Sequence, residues 1–69
     1  MRQTFTLRRT RDGVVTFKYG RYVESFDVEM LGAYETYERI RYAAITAGLS
    51  LNDETMAELL REAKGLLDD

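Results

Sequence analysis

The side chains best equipped for chemistry in this chain are its charged ones, and they are sorted by sign along the sequence. Residues 1–22 carry Arg2, Arg8, Arg9, Arg11, Lys18 and Arg21 against one acid, Asp12. Residues 23–69 carry the other eleven acids against Arg39, Arg41, Arg61 and Lys64, so that +5 is followed by −7 within a net of −2. A near-neutral total thus hides a polar molecule, which points to an anionic partner or to self-association. Catalytic groups are scarce. The chain has no His and no Cys, which removes the usual base, the thiol nucleophile, disulfides and the common zinc sites. Ser25 and Ser50 fall near expected helix starts, where capping is their ordinary role. The five glycines are dispersed and build no phosphate-cradling loop. A non-enzymatic protein without cofactor or metal is expected.

Four groups of residues are candidate sites. Arg2, Arg8, Arg11, Lys18 and Arg21, interleaved with threonines, could straddle a phosphate backbone; the plainer reading is a solvated face whose charges protect a sheet edge. Tyr19, Tyr22, Tyr34, Tyr37 and Tyr42 form a tyrosine set. Tyr19 and Tyr22 flank a hairpin tip beside Arg21 and could stack on a base or a partner, or simply close one end of a small core. Tyr42 lies off the main apolar stripe near Leu31, and these two are expected to form an exposed apolar flank for a protein contact. Glu24 falls among aromatics and Arg41 within an apolar stripe, so a half-buried structural ion pair between them is expected. The acids Asp53, Glu54, Glu58, Glu62, Asp68 and Asp69 lack calcium-loop spacing and read as a solvated helix face and tail.

The elements that must position these residues are legible from periodicity, which changes near residue 27 from two to helical. Thr10-Arg11-Asp12-Gly13-Val14 fits a three-residue hairpin loop with Gly13 left-handed. That loop sets Phe5 opposite Tyr19, Leu7 opposite Phe17 and Arg9 opposite Val15. Gly20-Arg21 fits a type II′ turn, setting Tyr19 opposite Tyr22, Phe17 opposite Glu24 and Val15 opposite Phe26. The spacing predicts strands over roughly 2–10, 14–19 and 22–26. One face then carries Phe5, Leu7, Val15, Phe17, Tyr19, Tyr22 and Phe26. The other carries Arg2, Thr4, Thr6, Arg8, Thr10, Thr16, Lys18 and Ser25, with Val14 and Val23 as apolar exceptions.

After Asp27, a good N-cap, Met30, Ala33, Tyr37, Ile40, Ala44 and Ala47 recur at about 100° per residue, flanked by Tyr34 and Ile45. Gly48 is the expected stop, with Leu49 folding back on the last turn. Ser50 with Asp53 resembles a capping box and Asn52 is a competing cap. A second helix then presents Met56, Leu59, Leu60, Ala63, Leu66 and Leu67 on one face. The expected architecture is α+β: a three-stranded antiparallel meander (1–26) followed by a two-helix hairpin (27–69) packed on its aromatic face, βββαα, in a single small domain of 69 residues.

A chain this short buries roughly 60% of its unfolded surface, and a partner subunit is the staple that remains once disulfides and metals are excluded. No apolar run approaches the ~20 residues of a membrane span, and Met1-Arg2-Gln3 does not open a signal peptide. A cytoplasmic, membrane-independent protein is expected. The preferred reading is a protein-interaction module that self-associates through Tyr19, Tyr22, Leu31 and Tyr42 or an open sheet edge. It would be of the adaptor or inhibitor type that mobile elements also encode. The alternative is nucleic-acid binding through Arg2, Arg8, Arg11, Lys18 and Arg21.

Overall fold

The computed structural model describes residues 4–67; Arg2, Asp68 and Asp69 lie outside the described residues. Three strands, β1 (Thr6–Arg9), β2 (Val14–Tyr19) and β3 (Tyr22–Asp27), precede helices α1 (Val28–Thr46) and α2 (Asp53–Leu67). The sheet is an antiparallel meander in the order β1-β2-β3, so the fold is α+β with βββαα order.

Register follows from turn chemistry. Thr10 donates its N–H to Val14 O at 2.9 Å and Gly13 donates to Thr10 O at 3.1 Å, and Gly13 takes φ 80°. The loop is therefore the three-residue kind, and it sets Leu7 opposite Phe17 and Arg9 opposite Val15. At the second turn Gly20 has φ 61° while Arg21 does not share its sign, as type II′ requires. Val15 meets Phe26, Phe17 meets Glu24 and Tyr19 meets Tyr22. A slip of one residue would have sent Val15 and Phe17 to solvent; instead both are fully buried.

Both helices cover this aromatic face. One cluster joins Val15, Phe17 and Phe26 with Val28, Ile40, Ala43, Ala44, Leu49 and Leu59. α2 completes its core within the chain: Leu59 and Ala63 are buried, and the inward-facing Arg9 donates from Nη1 to the Leu66 carbonyl at 2.7 Å. That bond satisfies one of the orphan carbonyls at the helix end. At the other helix ends, Asp27 Oδ1 accepts from Glu29 and Met30. Leu49 donates to Ala44 O and Gly48 to Ile45 O, a Schellman stop that buries Leu49. Asn52, not Ser50, caps α2: its Oδ1 accepts from Thr55 N at 2.8 Å.

The largest departure from periodicity lies in α1. Gly32 stands at φ 82°, ψ 162° inside it, a conformation open essentially to glycine alone. The helix is therefore two pieces, 28–31 and 33–46, with different phases. Of the stripe counted at 100° per residue, Ile40 and Ala44 are buried as expected, but Met30, before the break, is exposed, as is Ala33, and Thr36 and Ala43 join the buried row. Thr36 is tolerated there because its hydroxyl donates to Gly32 O at 2.7 Å, so no polar group is left unmade. Two further expectations are corrected. Leu60 is half-exposed, because α2 turns Thr55, Leu59 and Ala63 inward and Leu60 lies one position round from that row. Glu24 and Arg41 do not pair. Arg41 bonds Glu38 at 3.0 Å along its own helix and lies 5.9 Å from the Tyr37 ring centre, while Glu24 accepts from the Tyr22 hydroxyl.

Candidate functional site

The strand register arranges the outer sheet face as a grid. Lys18 stands between Thr6 and Val23 in one row, and Thr16 between Arg8 and Ser25 in the next. Thr16 and Ser25 share a hydroxyl hydrogen bond of 2.9 Å, which ties the β2–β3 side of the grid. Thr4, Thr6, Arg8, Thr16, Lys18 and Gly20 line a hollow of about 420 Å³ on this face. Arg8 and Lys18 are exposed, and neither is in an ion pair among the described residues. Arg11 and Arg21 are exposed at the two opposite hairpin tips. Of the basic set read from the sequence, the fold gathers Arg8 and Lys18 and sets Arg11 and Arg21 beyond them at either end.

The helical layer has a different character. Met30, Tyr34, Tyr42, Ile45 and Leu60 are 84%, 77%, 70%, 58% and 51% exposed, so five large apolar side chains of one layer face solvent. Tyr34 and Leu60 flank a groove between α1 and α2, of about 260 Å³, completed by Ala33, Tyr37, Ala63, Lys64 and Leu67. Further along α1, Tyr42 and Ile45 line a small hollow beside the Glu38–Arg41 pair. Tyr22 and Tyr42 share a second hollow with Glu24, Glu35, Arg39, Ala43 and Thr46, so residues far apart in sequence meet on one ledge. Within it Arg39 pairs with Glu35 at 3.0 Å. The Tyr22 hydroxyl is held above its ordinary pKa of 10.0 because it donates to the Glu24 carboxylate, whose charge also opposes its ionisation.

Leu31 and Tyr19 belong elsewhere. Both are half-buried and pack against the core, so Leu31 does not extend the exposed Tyr42 flank; the break at Gly32 separates their helical phases. Periodicity places Leu60 on the apolar face of α2 and Tyr34 only at the flank of the α1 stripe; in the fold both are exposed. The acids of α2 stay spread along the helix, and among the described residues no three metal-ligating side chains converge. Compared with known proteins, the chain matches no family model, no curated protein and no solved structure, so its function is argued from these surfaces.

Proposed function

We propose that this protein is a small non-enzymatic protein-interaction module that pairs with a second copy of itself through its helical layer. The observation that carries this reading is the groove between α1 and α2, apolar along most of its length and edged by the exposed Tyr34 and Leu60. Water-exposed Tyr and Leu beside an apolar groove offer a rigid anchor and a receptor in the same patch. A patch holding both parts is self-complementary, as a two-fold dimer requires, since each protomer then supplies one anchor and one groove. The small size of the chain adds a reason, because burying this patch supplements a core built from few side chains. The ledge formed by Tyr22 and Tyr42 lies outside the groove and serves a second contact in this reading.

Light scattering across a range of protein concentrations tests the proposal. The wild-type chain is expected to reach dimer mass, and Leu60→Glu to remain monomeric with an unchanged circular dichroism spectrum, since Leu60 is half-exposed and outside the core. A wild-type chain that stays monomeric throughout, or a Leu60→Glu dimer, refutes it.

A further inference from the structure

We infer that the outer face of the sheet docks on the phosphate backbone of duplex nucleic acid. Arg8 and Lys18 are exposed cations on adjacent strands, in neighbouring rows of the grid, and no carboxylate among the described residues pairs with either. Diagonal neighbours on a sheet stand about 7–8 Å apart, which lets the two side chains take successive phosphates rather than crowd one. Arg11 and Arg21 continue the series at the two hairpin tips, separated by the six residues of β2, roughly 20 Å of strand. A row of that length suits a polyanion and exceeds any small anion.

The neighbouring groups suit the same ligand. Thr4, Thr6 and Thr16 line the hollow with hydroxyls, which donate to phosphate oxygens. Among the described residues the face holds no aromatic ring and a single exposed large apolar side chain, Val23. It therefore lacks the stacking platform that single strands require and the apolar anchor that a protein partner requires. The net negative charge does not oppose this docking, because the fold places the acids of α1 and α2 on the other side of the sheet. Of the outer-face positions only Asp27 is acidic, and it is engaged at the end of the face by the backbone of α1. The sheet face and the helical groove lie on opposite sides of the sheet, so this inference does not rest on self-association.

Fluorescence anisotropy with a labelled mixed-sequence DNA duplex of about 20 base pairs, and with one of its single strands, tests the inference. Engagement of all four cations predicts duplex affinity falling about 100-fold between about 50 and 200 mM salt. Arg8→Gln and Lys18→Gln should each lower the salt slope by about one, whereas Arg61→Gln, a charge-matched change on exposed α2, should leave it unaltered. Absence of duplex binding at low salt, tighter binding of the single strand, or an equal effect of Arg61→Gln would each overturn it.

Discussion

Phe17 and Leu60 are both large apolar residues, yet they do different work. Phe17 is fully buried at the centre of the sheet, with Phe5 at 6.1 Å and Tyr22 edge-on at 6.3 Å between ring centres. Truncating it removes the hydrophobic transfer energy and leaves a cavity as well, so Phe17→Ala should cost about 3–5 kcal/mol. That is comparable with the whole stability of so small a domain. Leu60, half-exposed, has about half of a full burial term to lose, and Leu60→Ala should cost about 1 kcal/mol. Urea unfolding at dilute, monomeric concentration separates the two; equal costs would show that Leu60 belongs to the core. Sequence patterning assigned both residues to the interior. It was right for Phe17, whose strand neighbours alternate cleanly, and wrong for Leu60, because Leu59 and Leu60 are adjacent on a helix and only one of them can head the inward row.

Among the elements, the hairpins were readable in full and the first helix only in part: its ends and its buried Ile40 and Ala44 were legible, its break was not. Each hairpin register depends on a few contiguous turn residues, and Gly13 and Gly20 occur where the turn types need them. α1 is governed by one residue whose effect is not periodic. Gly32 redirects the chain between 28–31 and 33–46, and no side chain other than hydrogen fits that backbone conformation without strain. Gly32→Ala should therefore destabilise the fold by about 1–3 kcal/mol, although Ala is the better helix former. Beyond its chain neighbours and the adjoining helical backbone, no atom lies within 4 Å of the position a Cβ would take, so the loss would report backbone conformation and not crowding. A chemical denaturation midpoint that stays put or rises would show that 28–46 can run as one straight helix.

Over the whole molecule, the fold converts a charge gradient along the chain into two opposed surfaces. The meander's outer face holds Arg8 and Lys18, with Arg11 and Arg21 at its two ends, and the helical layer takes most of the acids together with exposed tyrosines and Leu60. Since the sheet lies between them, the two proposed activities should be separable. Leu60→Glu is expected to abolish dimer mass while each protomer keeps its duplex contacts, and Arg8→Gln to weaken duplex binding while leaving the mass unchanged. Light scattering and anisotropy on the same pair of variants check this. Loss of both properties in both variants would mean that one surface serves both.

What the amino-acid order determined by itself is whatever depends on near neighbours: strand alternation, two turn types, the Asp27 cap, the stop at Gly48 and the absence of thiol and imidazole chemistry. These follow from backbone sterics and short-range hydrogen bonds, which a few consecutive residues set. Only the tertiary structure decided that Thr36 faces inward while Met30 and Leu60 face out, that Arg41 pairs with Glu38 and not Glu24, and that Tyr22 and Tyr42 share a ledge. It also decided that Arg8 and Lys18 line one hollow on the outer face. Each of those outcomes depends on the rotation of α1 after Gly32 or on the packing and curvature of elements distant in sequence. Such relations arise from the competition of whole surfaces for burial, which no local pattern encodes.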